Sequence, residues 1–230
     1  MEQVVLSIFK DIQILYEDNH LLVVNKPVNM LMQGDATGDN DLLSIMKNYI
    51  KVTYNKPNEA YLGLVHRLDR VTGGVCVFAK TSKAASRLSN QIRLQEWKKT
   101  YFVITDNVPH IKEQKLVDYL YKDRKSNTSY VVSSQNKEAK KSLLKYKLLN
   151  THKNHALINV DLITGRSHQI RVQFANAGMP LFGDHRYNKQ VVRNTQIKLF
   201  AYELTLIHPT LKEEMTFQAP MPRHGLWREF

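Results

Sequence analysis

Cysteine is nearly absent from this chain of 230 residues, which has Cys76 as its only thiol. A single thiol excludes a disulfide framework and any CxxC zinc or redox motif. The chain has no apolar run close to the roughly 20 residues that a membrane-spanning helix needs. Residues 1–6 begin with an acid, whereas a signal peptide begins with a basic region. These absences predict a cytoplasmic protein with no membrane segment.

Motifs for nucleotide cofactors and for common hydrolytic chemistry are missing as well. The sequence contains no GxxxxGKS/T, no GxGxxG, no GxSxG and no HExxH. Its nine histidines are scattered, and none forms a convincing pair of metal ligands. We therefore expect a reaction that uses neither a nucleotide cofactor nor a metal ion.

Acidic residues are outnumbered, since 33 Lys and Arg against 21 Asp and Glu give a net charge of +12. This excess favours an anionic partner, most simply a nucleic acid, although lysines that only solvate the surface would give the same count. Hydrophobic residues at 43% and charged residues at 23% are typical of a globular protein and exclude a disordered chain. Because no segment resembles a linker, we expect one monomeric domain over residues 1–230, with a cleft between two lobes.

Two helices in the first half are predicted from apolar spacing and capping residues. Apolar side chains recur at helical spacing from Leu42 to Ile50, and Asn40 or Asp41 can cap this helix. Ser82 can cap a second helix. The predicted buried side of the second helix consists of Ala85, Leu88 and Ile92.

Strands outnumber helices in the predicted pattern. The apolar runs Ile12–Tyr16 and Leu21–Asn25 predict an opening β-hairpin. Further strands are predicted over residues 75–79, 100–105, 129–134, 142–149, 156–162 and 199–207, whereas residues 106–128 carry no clear pattern. Adjacent strands with few helices favour an α+β fold with a largely antiparallel sheet.

The densest cluster of reactive residue types is the segment from Leu64 to Gly74. Asp69 lies between Arg67 and Arg70, directly before a Gly-Gly turn into an apolar strand. Loops held by a rigid strand are favoured places for chemistry, and a nearby guanidinium would keep this carboxylate ionised. From local chemistry alone, a surface Arg–Asp pair is the better interpretation.

A second cluster begins a third predicted helix, Ser167–Ala177, with Gly178 at its C′ position. Its predicted buried stripe consists of Ile170, Phe174 and Ala177. His168 and Arg171 lie to one side of that stripe, so Arg171 can aim a charge into a cleft.

Arg166 stands at the predicted start of this helix, where the helix dipole disfavours a cation. A contact with a phosphate is one reason for a cation there. The alternative is that Arg166 and Arg171 are simply solvated.

Taken together, these clusters resemble the RluA-type family of RNA pseudouridine synthases. The family pattern HRLDxxTSG corresponds to residues 66–74, and TGRxHQIR corresponds to residues 164–171. The Lys-Thr-Tyr segment 99–101, the GxPxxGD segment 178–184 and the opening hairpin with Val-Asn-Lys-Pro at 24–27 also match. The resemblance covers about residues 12 to 222, and a chance match of several ordered motifs is improbable.

The chain departs from the family pattern at a few places. Gly73 replaces the usual serine, Gln173 stands where histidine is frequent, and Phe200 replaces the histidine of the common LHA. None of these departures removes the acid, the tyrosine or the arginine that the family uses. Because the chain starts at the catalytic core, we expect no N-terminal S4 domain.

The resemblance implies a largely antiparallel mixed sheet with flanking helices and a central catalytic cleft. It also implies an isomerase that converts uridine within RNA to pseudouridine. The N1–C1′ bond breaks, the uracil rotates, and C5 bonds to C1′, so no redox cofactor is required. A stacked uridine must first be flipped into the pocket, at a cost of a few kcal/mol.

The resemblance also implies roles for individual residues. Asp69 is the expected catalytic carboxylate, Arg171 the guanidinium that pairs with it, and Tyr101 the ring over the flipped uracil. Arg67 would stack in the vacated space. The other expected substrate-binding residues are His66, Arg166, His168, Gln169 and, at the floor of the pocket, Leu199.

Two alternative functions stay open at this point. A non-catalytic RNA-binding or ribosome-assembly protein with the same fold would explain the positive charge and the departures. A hydrolase that excises a base is less favoured, because the sequence offers no clear second carboxylate beside Asp69. The expected partner is a stem–loop of ribosomal or transfer RNA, since recognition of this kind depends on loop shape and single-stranded bases.

Overall fold

The computed structural model describes residues 12–230. The predicted absence of a signal peptide was based on residues 1–6, which lie outside the described residues. The chain forms two compact units: one runs to Trp97 and resumes over Ala201–Pro220, and the other contains Lys98–Phe200 and Met221–Phe230. The expected single domain with its catalytic cleft stays a prediction. The predicted α+β class is confirmed, because the described residues form eleven strands and three α-helices.

Antiparallel strands form the body of the first unit. The opening hairpin is confirmed as β1 and β2, which pair antiparallel, and β2 also pairs antiparallel with β4. Strand β3 lies on β4, and β11 lies on β10. The bounds are β1 Ile14–Glu17, β2 Leu21–Lys26, β3 Gly63–Leu64, β4 Gly73–Ala79, β10 Leu199–Ile207 and β11 Glu214–Gln218.

Helix α1, Leu42–Thr53, begins as its sequence predicts. The Ser44 N–H donates to the Asp41 carboxylate at 2.9 Å, which satisfies one of the N–H groups that a helix start leaves without a partner. The residues buried against the first unit are Leu42, Ile45, Met46 and Ile50. Their spacing gives this helix one apolar face.

Helix α2, Ser82–Arg93, differs from its prediction by one position at its start. Thr81, rather than Ser82, is the capping residue, because its hydroxyl accepts the Ala84 N–H at 3.1 Å. The buried residues are Ala84, Leu88 and Gln91, whereas the predicted Ala85 and Ile92 are only half-buried. A glutamine can be buried here because its side-chain amide donates to the Ile207 carbonyl and accepts from the Trp97 indole.

The second unit is built on five antiparallel strands in the order β5-β9-β8-β6-β7. Strand β6 occupies the stretch for which the sequence predicted no element, because charged residues on both of its faces hide the apolar alternation. The bounds are β5 Lys98–Thr105, β6 Glu113–Asp123, β7 Thr128–Val132, β8 Lys140–His152 and β9 His155–Leu162.

Helix α3, Gln169–Asn176, packs on β6 and β7 and is shorter than predicted. His168 precedes it in a left-handed conformation, with φ of 54°, so the predicted alignment of His168 with Arg171 on one helix face is wrong. Ala177 is exposed and does not extend the buried stripe. The predicted position of Gly178 directly after the helix is confirmed. The Gly178 N–H donates to the Ala175 carbonyl and the Met179 N–H to the Phe174 carbonyl, which together form a Schellman motif.

The three α-helices of residues 12–230 have 12, 12 and 8 residues. None of them combines the length and the apolar character that crossing a membrane would require.

Candidate active site

Asp69 lies in the loop between β3 and β4, where its residue is half-buried. The Thr72 N–H donates to the Asp69 carbonyl at 3.0 Å, which closes a turn directly before β4. Strand β4 is buried along its whole length, so it gives this loop a rigid support. Arg67 is exposed on the same loop.

A buried lysine holds this loop from the side of β2. Lys26 is 1% exposed, and its ammonium donates to three carbonyl oxygens: Pro27 at 2.9 Å, Met30 at 2.7 Å and Arg70 at 3.1 Å. Burial lowers the pKa of Lys26 to about 8. The Lys26 ammonium therefore links the backbone at Arg70, directly after Asp69, to the loop that follows β2.

Arg70 and His66, on the same loop as Asp69, have defined contacts. Arg70 forms a salt bridge of 2.7 Å with Asp39 and donates to the Asn29 carbonyl. His66 accepts the Val77 N–H on Nε2 at 3.0 Å and packs edge-on against Trp97. Nε2 of His66 is thus engaged by the backbone of β4, and a substrate-binding role for this residue stays a prediction.

Arg171 is buried in the second unit, on α3. Its Nε and Nη2 donate to the two carboxylate oxygens of Asp184 at 2.9 and 2.7 Å, and its guanidinium lies 5.2 Å from the ring centre of Tyr187. The Asp184 carboxylate also accepts the N–H groups of Arg186 and Tyr187. In the sequence, Asp184 was identified only as the last residue of the GxPxxGD motif and not as the partner of Arg171. The expected pairing of Arg171 with Asp69 stays a prediction.

Gln169 fixes the loop before α3. Its side-chain oxygen accepts the Thr164 hydroxyl at 2.8 Å and the Arg166 N–H at 3.0 Å, and its amide nitrogen donates to the Leu143 carbonyl at 3.1 Å. With three internal hydrogen bonds and 2% exposure, Gln169 orders the protein's own backbone. A direct substrate contact by Gln169 stays a prediction.

His168 shares a hydrogen bond of 2.8 Å with the Tyr187 hydroxyl, which also accepts the Ser129 N–H. These contacts join the start of α3 to β7 and to the Tyr187 ring that covers Arg171. Tyr187 was not identified from the sequence, because it follows Asp184 outside every quoted motif.

Arg166 is exposed three residues before α3, rather than at the first turn of a helix. Its Nε donates to the Lys141 carbonyl at 3.4 Å. Burial lowers the pKa of Lys99, and the nearby positive charge of Arg166 lowers it further. Two cations thus meet beside the Thr164-Gly165-Arg166 turn, an arrangement that a bound phosphate would stabilise.

Tyr101 and Leu199 both belong to the second unit, although β10 continues into the first unit from Ala201 onward. Tyr101 pairs with Val160 across β5 and β9 and is 9% exposed. Leu199 is the first residue of β10 and is 5% exposed. Among residues 12–230, no group of three or more His, Cys, Asp or Glu side chains is placed to hold a metal ion.

The family model and the similar proteins that match this chain indicate the same family. The profile of the family described as RNA pseudouridylate synthase matches residues 20–176. The ribosomal large subunit pseudouridine synthase C of Buchnera aphidicola from Schizaphis graminum is 33% identical over 216 residues, which are 90% of this chain and 67% of that protein. An uncharacterized RNA pseudouridine synthase of Bacillus subtilis, YhcT, is 32% identical over 93% of this chain and 70% of its own length.

The fold comparison agrees with the sequence comparison. The structure of human RNA pseudouridylate synthase domain containing 4 superposes with a TM-score of 0.79. It is 23% identical, and the match covers 96% of this chain and 92% of that one. At this identity, the likeness concerns the fold.

Proposed function

Because the chain belongs to the RluA-type family of RNA pseudouridylate synthases, we propose that Asp69 is the catalytic carboxylate of its reaction. The protein is an RNA pseudouridine synthase, an isomerase that acts on uridine in RNA. The observation that carries the proposal is the fixed position of Asp69, in a turn that the buried ammonium of Lys26 holds at the Arg70 carbonyl. A catalytic group held in this way needs little reorganisation during the reaction.

The proposed reaction uses the carboxylate while the N1–C1′ bond of uridine breaks and the uracil stays bound. Asp69 acts on the ribose or on the detached base, as a nucleophile or as a base. C5 then bonds to C1′, loses its proton, and N1 gains one, so atoms balance without a cofactor. Tyr101 stacks on the uracil and takes part in removing the C5 proton.

Arg171 contributes a buried positive charge in this proposal. Its carboxylate partner Asp184 holds the guanidinium in one orientation, so that its charge can stabilise the anionic uracil as it departs. Leu199 forms an apolar floor beneath the base, and His168 and Arg166 contact the RNA backbone.

The uridine reaches the site by base flipping, with Arg67 filling the space that the base leaves. Support comes from the exposure of Arg67 two residues before Asp69. A long cationic side chain at this place can stack between neighbouring bases through its guanidinium plane.

Ribosomal RNA is the proposed target, since a relative that is 33% identical carries a ribosomal large subunit name. We also propose that the protein acts as a monomer in the cytoplasm. A pseudouridine map of total RNA with and without the gene tests the target, and a lost site in transfer RNA alone would contradict it.

Release of tritium from RNA that contains 5-tritiated uridine tests the role of Asp69. Asp69→Asn should abolish release, because the amide cannot act as nucleophile or base. Asp35→Asn, which changes an exposed carboxylate in the same unit, is the matched control and should release tritium at the wild-type rate. Full activity of Asp69→Asn would contradict the proposed role.

A further inference from the structure

The sheet of the second unit has one face that α3 covers and one that it does not. On the covered face, Asp118 accepts from the Gln173 amide at 2.7 Å, and Tyr146 packs on Phe174 with ring centres 5.6 Å apart. Side chains alternate between the faces along each strand. The odd-numbered residues of β6 and β8 therefore point away from α3.

These outward residues form a continuous surface, because the strand register pairs them directly. Lys115 pairs with Lys145, Val117 with Leu143, and Tyr119 with Lys141 across β6 and β8, while Tyr121 pairs with Tyr130 across β6 and β7. We call this surface the tyrosine–lysine face; it consists of Lys115, Val117, Tyr119, Tyr121, Tyr130, Lys141, Leu143, Lys145 and Lys147.

The tyrosine–lysine face is open to solvent. Val117 and Tyr130 are each 47% exposed, and all four lysines are exposed. Aliphatic and aromatic side chains that lie together on an exposed surface are a feature of interaction sites. Tyr121 and Tyr130 lie side by side at the edge of the sheet, since β7 is its last strand.

Only two of the four lysines of this face, Lys145 and Lys147, lie directly opposite an acidic residue. Lys145 lies opposite a second lysine, Lys115, on one side and opposite Asp161 on the other, and Lys147 lies opposite Glu113. Like charges directly opposite on neighbouring strands are destabilising. Within residues 12–230, none of the four lysines of the face forms a salt bridge. An anion bound between Lys115 and Lys145 would remove their repulsion.

We propose that the tyrosine–lysine face binds a single-stranded segment of the RNA that flanks the hairpin bearing the reacting uridine. Lysines supply contacts to the phosphates, and Tyr119, Tyr121 and Tyr130 supply rings on which bases stack. Interleaved cations and aromatic rings on a sheet surface match the chemistry of a nucleic acid single strand. This inference rests on the proposed function, because it names how the same RNA substrate is held outside the catalytic site.

Binding of two fluorescent RNAs tests the proposal. One is a stem–loop that contains a modifiable uridine, and the other is the same stem–loop with single-stranded flanks. A variant with Lys115, Lys141, Lys145 and Lys147 changed to glutamine should bind the flanked RNA at least about tenfold more weakly at 0.1 M salt. The slope of the logarithm of the binding constant against the logarithm of the salt concentration should become shallower by about 0.7 for each phosphate that the variant no longer neutralises. Binding of the unflanked RNA should stay unchanged.

Matched variants separate this effect from a general loss of charge or of folding. Lys51→Gln with Lys56→Gln removes two exposed lysines of the first unit and should leave both affinities unchanged. Tyr130→Ala should weaken binding of the flanked RNA at least about fivefold, and Tyr130→Phe, which keeps the ring, should restore it. Equal affinity of the quadruple variant and wild type for the flanked RNA would overturn the proposal.

Sedimentation and activity measurements distinguish an RNA-binding face from a dimer interface. Suppose that wild type sedimented as a dimer and the quadruple variant as a monomer, with equal affinity for RNA. The face would then bind a second copy of the chain, and the proposal would be wrong. Tritium release at saturating unflanked RNA should stay within about twofold of wild type. Should wild type release no tritium while the quadruple variant still binds the flanked RNA more weakly, the proposed function fails, and the face binds single-stranded RNA that is not a substrate.

Discussion

The Arg171 guanidinium and the Asp184 carboxylate form two parallel hydrogen bonds of 2.9 and 2.7 Å in the interior of the second unit. The Asp184 side chain is fully buried, and that of Arg171 is 8% exposed. Two bonds in a fixed plane allow the guanidinium only one orientation. Desolvation of both charges offsets most of the attraction, so the pair contributes orientation more than stability.

Asp184→Asn tests whether this orientation matters for the reaction. The variant leaves the buried Arg171 charge without its counter-ion, so the free energy of unfolding should fall by about 3 kcal/mol. In protein that is still folded, kcat should fall at least tenfold, because a misoriented guanidinium stabilises the transition state less well. KM should stay nearly unchanged, because the positive charge that helps to bind RNA is still present. Urea unfolding and steady-state tritium release measure the two effects.

A double variant separates orientation from stability in this prediction. Arg171→Met with Asp184→Leu removes both charges and should recover most of the lost stability. Its activity should stay at the level of Arg171→Met alone. If stability and kcat recovered together, Arg171 and Asp184 would both have a structural role only.

Lys26 should give the protein a characteristic pH dependence. Its pKa lies near 8 in the folded protein against an ordinary value of 10.5. Between these values the unfolded chain binds more protons than the folded one, so this lysine makes the folded state more stable as the pH rises. Relative to Lys26→Met, the free energy of unfolding of wild type should increase from pH 7.5 to 10, by at most about 3 kcal/mol.

Urea unfolding of both proteins at each pH measures this difference, and groups common to the two cancel. A difference that is flat or falls over this range would show that the three carbonyl acceptors keep the ammonium charged. At pH 7, Lys26→Met should also lower kcat, since the turn that carries Asp69 loses its tie to the Arg70 carbonyl.

Local pattern predicted the elements whose ends are set by nearby residues. Strand β10 has the predicted bounds, since apolar alternation runs up to His208-Pro209. Helix α1 begins at Asp41, one of its two predicted caps, because a cap depends only on the residues of the first turn. The same locality explains why the hairpin of β1 and β2 was found.

Contacts that join distant parts of the chain were not predictable. A lysine at the end of a strand normally extends to water, and only the folded loops show that Lys26 reaches three carbonyls instead. Asp184 was missed as the partner of Arg171 because the two meet only after the turn at Gly178. Helix α3 begins two residues later than its spacing predicts, because His168 is left-handed and shares a hydrogen bond with the distant Tyr187.

Gly74→Ala should prevent stable folding. Gly74 has φ of +115°, and a Cβ atom there would lie 2.1 Å from the Ala201 carbonyl oxygen, which is backbone and cannot rotate away. The loss should exceed about 3 kcal/mol, beyond the cost of a left-handed alanine. Gly178→Ala is the matched control: its φ is +76°, but the space around it is open, so it should cost only about 1–2 kcal/mol. Equal melting temperatures for the two variants would contradict the close approach of Gly74 to β10.

Arg67→Ala should reveal whether base flipping limits the reaction. In a structured stem–loop the uridine is stacked, and its removal costs a few kcal/mol that an inserted side chain can offset. The variant should therefore lower kcat/KM at least tenfold on the stem–loop but less than about threefold on an unstructured RNA of the same local sequence. Arg93→Ala, which removes an exposed arginine at the end of α2, controls for lost charge and should affect both RNAs equally. An equal loss by Arg67→Ala on the two RNAs would mean that Arg67 contacts phosphate and does not replace the flipped base.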